Sequence, residues 1–518
     1  MEGQPPEGRS TARGMYHLFL GNVTSTVLLA ITAIAVGRLI GPGGLGLYTL
    51  AFVTPGYLML AINLGIPSAA VRFPAKYVSE GSERKAVSFL YTMTVFQTLL
   101  AVAAVVLVVP FSGLIATKLL NRPGLVDIIP LASLVLVGQA SYSTVTAGYQ
   151  GLNRMDRSAF LQVLLAVAKL VSTLALIWLG FGLAGAVAGY TLSYVISGFV
   201  GLALVIVMYK RIVPRGWLGD LKDALKYSFP LFIAGIASGL VGPYQVTLLA
   251  IFATDAQIGG YGAATNMSTL IVLFTYPIAT ALFPLFSGLG KDEGGLAEIY
   301  EKSVRYSTIF VVPVAALMMA LAYPISSAVY GRAYGFAGGY LALMVAQYIF
   351  VGLGSQSQGA LLNGIGETRK SLVASLANSV AVIVVSTALI PFLGVYGAIV
   401  ATVIGAAAYV VVAWRIVGRR LGANVRLSGI WRIYLASGVA AALVYPLSFL
   451  PLHPLIVTLL GGVAFLLLVV PLMALTRAVE RRDMEALDAY FRSVRPVSSL
   501  FGIVAKYYDI FQREGSKE

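Results

Sequence analysis

Long, uninterrupted runs of apolar residues are the feature that most restricts what this chain can fold into. A helix needs about 20 mostly apolar residues to cross the hydrocarbon core of a bilayer, and about fourteen such runs follow one another along the 518 residues. Strands of a membrane barrel would instead alternate apolar and polar residues over about ten positions. We therefore predict an all-α polytopic membrane protein with about 14 transmembrane helices. The predicted spans are 16–40, 46–71, 87–116, 126–150, 159–180, 183–209, 228–253, 258–288, 306–330, 337–363, 371–391, 394–414, 433–451 and 454–476.

The composition excludes the main soluble classes. Only 11% of the residues are charged and 58% are hydrophobic, whereas a soluble globular protein carries about 25% charged residues. The apolar content excludes intrinsic disorder, and the absence of cysteine excludes a disulfide scaffold, a thiolate nucleophile and a cysteine-ligated metal. The expected location is the cell (plasma) membrane.

Lysine and arginine are distributed unequally between the two sides of the predicted membrane. With the N-terminus in the cytoplasm, 31 of the 36 cationic residues fall inside and four fall outside. The four outside are Arg38, Lys118, Arg122 and Arg332, while Lys169 lies within the fifth span. This bias predicts cytoplasmic N- and C-termini, and it explains the net charge of +15 without nucleic-acid binding.

The sequence repeats itself at an offset of about 213 residues. The segment 46–48 matches 260–262, Gly151 with 157–158 matches Gly364 with 370–371, and 182–186 matches 394–398. Each repeat holds six spans, an even number, so both copies enter the membrane from the same side and form a parallel repeat. We predict two six-helix lobes plus two extra C-terminal helices. The predicted boundaries are 1–15 for a cytoplasmic N-terminus, 16–209 for the N-lobe (helices 1–6), 210–227 for a cytoplasmic linker, 228–417 for the C-lobe (helices 7–12), 433–476 for helices 13–14, and 477–518 for a cytoplasmic amphipathic tail.

Polar side chains inside the spans concentrate in helices 1, 2, 4, 7, 8 and 10. Such groups are costly in lipid and usually face a bundle interior or a watery cavity. No Asp or Glu lies in the middle of a span, and Lys169 is the deepest charge. A wet cavity with fixed positive charge suits an anionic headgroup. The candidate substrate-binding residues are Arg38, Arg72 and Lys169 for phosphate, and Asn22, Gln139, Gln245, Asn266, Gln347 and Gln356 for sugar hydroxyls.

Signatures of catalysis are missing from the sequence. There is no phosphate-binding loop of the type Gly-x-x-x-x-Gly-Lys-Ser/Thr and no His-Glu-x-x-His. The two histidines, His17 and His453, both lie at span ends. We therefore expect no enzymatic activity, no catalytic residue, no metal and no cofactor, while a coupling ion remains open.

The segment 37–48, which reads GRLIGPGGLGLY, resembles the first-to-second helix signature of the MATE-like exporters of the multidrug/oligosaccharidyl-lipid/polysaccharide (MOP) superfamily. The segments 65–73 and 364–369 resemble its polysaccharide-biosynthesis branch, the Wzx-type flippases of lipid-linked oligosaccharides. The resemblance implies that the last two helices flank a groove for a polyprenyl tail. The acidic residue that the drug and cation antiporters carry in the first helix has no equivalent, since no Asp or Glu lies between Glu7 and Glu80.

The sequence and the resemblance together favour a flippase. We expect it to move a polyprenyl-(pyro)phosphate-linked oligosaccharide from the cytoplasmic to the outer leaflet by alternating access, for polysaccharide or glycan assembly. The expected partners are this lipid-linked glycan, membrane lipids and glycan-assembly machinery, with function as a monomer. One alternative is a MATE-type multidrug or organic-cation antiporter, which the missing carboxylate disfavours. The other is a membrane-embedded enzyme or scaffold, for which no reactive constellation is found.

Overall fold

The computed structural model describes residues 6–208, 217–271, 293–421 and 429–479, together with Asp483, Gly502 and Tyr508. Within these residues the chain is helical apart from short turns, and no β-strand occurs. A helix satisfies its backbone N–H and C=O groups internally, which is required where no water is available to bond them. The predicted all-helical, multi-pass membrane fold is confirmed.

Ten helical stretches of the described residues are long and apolar enough to cross a membrane. An eleventh is added if Ala337–Leu353 and Ser357–Gly364, which meet at 50°, form one broken span. The ten stretches are Leu18–Ser79, Glu83–Leu119, Ile128–Gly151, Met155–Val207, Leu231–Phe252, Gly295–Ala320, Thr368–Leu393, Val395–Arg419, Ile430–Phe449 and Pro454–Leu475.

Two of these stretches are too long for one crossing. Leu18–Ser79 has 62 residues and Met155–Val207 has 53, whereas about 20 residues suffice for the hydrocarbon core. Each contains a glycine that leaves the helical conformation, Gly41 at φ 72° and Gly180 at φ 92°. The predicted total of 14 spans stays a prediction, because the eighth predicted span, 258–288, runs into residues 272–292, outside the described part of the chain.

Close contacts divide the chain into two compact units, Met1–Gly262 and Ala263–Glu518. The helices before the boundary are α1 (Pro6–Ala51), α2 (Val53–Asn63), α3 (Ile66–Ser79), α4 (Glu83–Val108), α5 (Ser112–Leu114), α6 (Ile128–Ser133), α7 (Val135–Gly151), α8 (Met155–Leu176), α9 (Gly182–Met208), α10 (Trp217–Gly239) and α11 (Val241–Phe252). The boundary itself falls within α12 (Asp255–Thr269). The helices after it are α13 (Glu293–Ala320), α14 (Ala322–Tyr330), α15 (Ala337–Val345), α16 (Ser357–Gly364), α17 (Thr368–Leu393), α18 (Val395–Leu421), α19 (Ile430–Val444) and α20 (Pro454–Leu475).

The first compact unit extends beyond the predicted N-lobe, 16–209. Residues 217–262 belong to it because α10 packs against α3. At this contact a Cβ on Gly65 would lie 2.7 Å from the carbonyl oxygen of Ser228, so the two backbones nearly touch. The predicted lobe boundaries and the linker 210–227 stay predictions, and residues 209–216 of that linker lie outside the described residues.

Two helical hairpins, α8–α9 and α17–α18, have the same turn. Gly182 has φ 49° and ψ −123°, and Gly394 has φ 53° and ψ −127°. A Cβ on Gly185 would lie 2.8 Å from the carbonyl oxygen of Leu176, and one on Gly397 would lie 2.6 Å from that of Leu389. These matched positions are separated by the offset found in the sequence.

The turns that precede these hairpins also match. Arg154 N–H donates to the carbonyl of Tyr149 at 2.8 Å, and Glu367 N–H donates to that of Leu362 at 2.8 Å. The residue before each donor takes the left-handed conformation, Asn153 at φ 57° and Gly366 at φ 80°. The backbone therefore repeats the same local geometry at the sequence offset of about 213.

Large apolar side chains cover the outer surface of the helices. Leu179 at the tip of the first hairpin is 72% exposed, and Phe392 at the tip of the second is 86% exposed. A soluble protein rarely exposes continuous apolar surface of this kind. Such side chains face lipid in a membrane protein, while tyrosines such as Tyr149 are buried in the bundle.

Candidate functional site

Lys169 of α8 lies against an aromatic ring inside the first compact unit. Its Nζ is 4.1 Å from the centre of the Tyr190 ring on α9. The side chain is half-buried, and in the described part of the chain no carboxylate forms an ion pair with it. A cation at membrane depth costs about 2.5–3.5 kcal/mol, and the negative face of a ring offsets only part of that cost. Lys169 is therefore a cation that contacts an aromatic face and has no carboxylate partner among the described residues.

The Tyr190 ring belongs to a cluster of five aromatic side chains, which we call the aromatic cluster. Tyr190 lies 4.4 Å from Phe52 and 5.3 Å from Tyr194, measured between ring centres. Tyr48 lies 6.3 Å from Tyr190, and Tyr142 lies 5.6 Å from Tyr194. All five rings are half-buried. They combine flat apolar faces with phenol groups that donate and accept hydrogen bonds.

Local helix geometry brings these rings together. Tyr190 and Tyr194 are four residues apart in α9, so they lie on one face of that helix. Tyr48 lies near the end of α1 and Phe52 in the turn that follows it, with ring centres 5.2 Å apart. The predicted polar lining of helices 1, 2, 4, 7, 8 and 10 does not include Tyr190 and Tyr194, which lie in the sixth predicted span. Their four-residue spacing predicts a shared helix face, but it does not predict that this face meets Lys169.

Helices α4 and α7 are joined by hydroxyl and amide side chains. Thr144 Oγ1 donates to Gln97 Oε1, and the hydroxyls of Thr98 and Ser141 lie 2.8 Å apart. Ser141 and Thr144 thus bond to a neighbouring helix, as small polar residues often do in membranes. Gln139, a predicted sugar ligand on α7, is half-buried.

The predicted phosphate ligands Arg38 and Arg72 are both exposed. The guanidinium of Arg72 lies 4.1 Å from the centre of the Tyr227 ring, which joins α3 to α10. The described contacts of Arg72 and Lys169 have no residue in common. The assignment of Arg38, Arg72 and Lys169 to phosphate stays a prediction.

Two predicted sugar ligands of the first unit have different environments. Gln245 is 3% exposed, and its Oε1 accepts a hydrogen bond from Tyr261 at 3.2 Å, which joins α11 to α12. Asn22 is half-buried on α1, and its backbone carbonyl accepts bonds from Ser25 and Thr26. Gln245 contributes to helix packing, whereas Asn22 keeps a partly accessible side chain.

The remaining predicted ligands lie in the second unit. Asn266 is exposed, and its Nδ2 lies 3.5 Å from the Tyr330 hydroxyl. Gln347 is half-buried, and its Nε2 donates to the carbonyl of Met344 at 2.9 Å. Gln356 is half-buried at the residue before α16. No substrate contact tests these assignments, so they stay predictions.

An apolar groove with a volume of 390 Å³ lies between α13 and α19 in the second unit. Tyr434 closes one side, because it accepts a hydrogen bond from Gly352 N–H at 3.0 Å and donates to the carbonyl of Ile349. Further lining comes from Val312, Ala316, Met319, Ser437, Gly438 and Tyr445. The groove therefore lies between the ninth predicted span, 306–330, and the thirteenth, 433–451.

An ion pair fixes the start of the C-terminal tail. Arg305 on α13 lies 2.7 Å from Asp483 and also bonds the carbonyl of Ala478. Tyr508 is buried and donates to the carbonyl of Val479. Most of the predicted amphipathic tail, 477–518, lies outside the described residues.

The site can be compared with known proteins. Residues 11–289 match the model of the family described as polysaccharide biosynthesis protein. A candidate O-antigen transporter of Shigella dysenteriae is 25% identical over 288 residues, 55% of this chain and 69% of that protein. Stage V sporulation protein B of Bacillus subtilis is 25% identical over 424 residues, 76% of this chain and 80% of that protein.

A solved structure shows the same fold. Lipid II flippase MurJ in an inward closed conformation superposes with a TM-score of 0.72 at 16% identity, covering 87% of this chain and 97% of that one. This likeness concerns the fold alone. The family model, by contrast, spans more than half of the sequence. The chain therefore belongs to the polysaccharide biosynthesis protein family.

Proposed function

We propose that this protein is a flippase that moves a polyprenyl-(pyro)phosphate-linked oligosaccharide from the cytoplasmic to the outer leaflet by alternating access. The observation that carries the proposal is Lys169 beside the aromatic cluster. The lysine supplies a positive charge without a carboxylate partner among the described residues. Aromatic faces accommodate the C–H face of a sugar ring, and phenol groups bond its hydroxyls. This combination suits a glycan with an anionic group.

The lipid tail of the proposed substrate needs a binding site separate from that of the glycan. A polyprenyl chain is apolar and stays in the bilayer while its head crosses, so it needs an apolar path beside the bundle. The groove between α13 and α19 supplies 390 Å³ lined mainly by Val, Ala and Met. We assign the first isoprene units of the tail to this groove.

The proposed architecture has fourteen spans in two parallel six-helix lobes, followed by two further helices. Support comes from the matched turns at Gly182 and Gly394 and from the matched hydrogen bonds of Arg154 and Glu367. The charge bias of lysine and arginine supports cytoplasmic termini. We further propose that the protein functions as a monomer and associates with glycan-assembly machinery.

The relatives support this substrate class. The Shigella protein is named for O-antigen transport, and the structural neighbour is named as a lipid II flippase. A MATE-type cation antiporter remains the competing function. A carboxylate that would attract a cation is not among the described contacts of Lys169, and the positive charge of Lys169 itself would repel a cationic substrate.

The decisive experiment uses purified protein in lipid vesicles with two substrates. We expect translocation of a polyprenyl-pyrophosphate-linked oligosaccharide and no uptake of a fluorescent organic cation driven by a proton or sodium gradient. Lys169→Met should greatly reduce flipping, whereas Lys118→Met, at an exposed lysine, should leave it unchanged. Cation uptake without glycan flipping would refute the proposal.

A further inference from the structure

The segment of α1 that follows Gly41 meets the start of α12 at backbone distance. A Cβ on Gly46 would overlap the carbonyl oxygen of Asp255, and a Cβ on Gly259 would overlap that of Pro42. A Cβ on Gly262 would lie 3.3 Å from Thr49 Oγ1. Small residues allow this close approach of two helices in a membrane. All these residues belong to the first compact unit.

The contacts follow the offset of about 213 that relates the two repeats. An offset of 213, one residue shorter than the match of 46–48 with 260–262, relates Pro42 to Asp255, Gly46 to Gly259 and Thr49 to Gly262. When each residue is replaced by its equivalent in the other repeat, the contact of Gly46 with Asp255 maps onto the contact of Gly259 with Pro42. The pair Thr49 and Gly262 maps onto itself, because its two members are equivalent to each other. Residues that exchange partners in this way surround a two-fold axis. The contact thus surrounds the local two-fold axis of the proposed repeat.

Arg122 lies in the connection between α5 and α6 and binds the α11–α12 side of this contact. Its guanidinium pairs with the Asp255 carboxylate and donates to the carbonyls of Ala253 at 2.9 Å and Ala250 at 3.3 Å. These carbonyls belong to the end of α11, where the helix leaves acceptors unbonded. The Arg122 side chain is only 18% exposed. Its counterpart in the second repeat is Gly335, which has no side chain to do the same.

We propose that this contact is the outer gate of the transport cycle and that Arg122 is its latch. The inference rests on the proposed function and orientation, which put residues 41–45, 117–126 and 253–257 at the outer face. Glycine contacts separate without dismantling interlocked side chains, so such a surface opens readily. The bonds of Arg122 favour the closed arrangement, and a gate that opens must break them.

Disulfide trapping tests the gate directly, because the chain has no cysteine of its own. Thr49→Cys with Gly262→Cys places two thiols where the Cβ-to-Oγ1 distance of 3.3 Å suits a disulfide. Oxidation should cross-link the pair and stop flipping, and reduction should restore it, while either single variant should flip regardless of oxidation. A cross-linked protein that flips at the parental rate would overturn the gate, as would a pair that never cross-links.

Labelling tests the latch without any transported substrate. The labelled residue is Thr49→Cys, and the reagent is a membrane-impermeant maleimide added from the outside. Adding Arg122→Gln should raise the rate of modification by about fivefold or more, which is the lower end of a typical coupling between two states. Arg157→Gln, which removes a more exposed ion pair with Asp156, is the control and should not change the rate. Equal rates for Arg122→Gln and the parent would exclude the latch.

The experiments distinguish a failure of the proposed flippase function from a failure of the proposed gate. If the cysteine-free parent does not flip a lipid-linked sugar, the proposed function fails, and the labelling result still decides whether Arg122 holds a gate. If the parent flips and neither the cross-link nor Arg122→Gln has an effect, the gate is wrong and the flippase stands.

Discussion

The ammonium of Lys169 lies 4.1 Å from the centre of the Tyr190 ring, although the two residues belong to different helices of the same hairpin. In the proposed site, the ring face stabilises the charge of Lys169, and the other side of the ammonium is assigned to the ligand. Because the lysine contacts the ring face, substitutions at Tyr190 can distinguish the contribution of the ring from that of the hydroxyl group.

We expect Tyr190→Leu to reduce flipping at least about fivefold, since a desolvated cation–π contact contributes about 1–2 kcal/mol. Tyr190→Phe keeps the ring and should retain most activity. Initial rates of glycan translocation in vesicles measure both. Equal losses in the two variants would assign the effect to the hydroxyl instead.

The two matched hairpins should respond alike to an added methyl group. Gly185→Ala and Gly397→Ala would each bring a Cβ within 3 Å of a carbonyl oxygen, and we expect each to lower the free energy of unfolding by about 1–3 kcal/mol. Gly113→Ala, where a Cβ meets open space, is the control. Thermal unfolding in detergent compares the three, and unequal effects at Gly185 and Gly397 would contradict a shared geometry.

Filling the apolar groove should affect long-tailed substrates selectively. Gly438 lines the groove, and a Cβ there meets no neighbouring atom, so we expect Gly438→Leu to fill part of the groove. Exclusion of two methylene groups costs about 1.6 kcal/mol at about 0.8 kcal/mol each, and we expect the apparent affinity for a full-length polyprenyl substrate to fall roughly tenfold. Gly462→Leu, equally free of contacts but outside the groove, should have no effect, and a short-chain analogue should bind both variants alike.

The Arg305–Asp483 ion pair should stabilise the second unit more than an exposed pair does. Both side chains are mostly buried, 22% and 11% exposed. Breaking such a pair leaves a charge without its partner, and we expect Asp483→Asn to cost about 1–2 kcal/mol. Glu298→Gln removes the exposed pair with Lys302 and should change thermal unfolding little. Equal melting temperatures for Asp483→Asn and the parent would contradict this.

Asp220 on α10, outside the spans, should make stability depend on pH. Burial, the largest effect, and Asp223 raise the pKa of this carboxyl, while Lys85 opposes the shift. A raised pKa in the folded state favours the protonated form, so stability falls as pH rises from the ordinary value of 3.8 through the folded-state pKa. Asp220→Asn should therefore unfold at a higher temperature than the parent at pH 7 and lose this advantage at acidic pH.

Hydrophobic run length and charge placement determined the fold class from the sequence. A span needs only enough apolar residues, which are visible locally, and the structure confirmed an all-helical membrane protein. The segments 37–48, 65–73 and 364–369 together led to the polysaccharide-biosynthesis family, which the comparison over residues 11–289 confirmed. Lys169 was identified because a charge inside an apolar run is conspicuous.

The surroundings of that lysine depended on tertiary structure. Tyr190 and Tyr194 lie in a span whose sequence gives no sign of facing Lys169, since the rotation of one helix against another follows from packing along their whole length. The same holds for Gln245, whose amide bonds Tyr261 rather than remaining free. Sequence determined which residues enter the membrane, because hydrophobicity adds along the chain; only the folded structure decided which of them meet, because contacts depend on how helices pack.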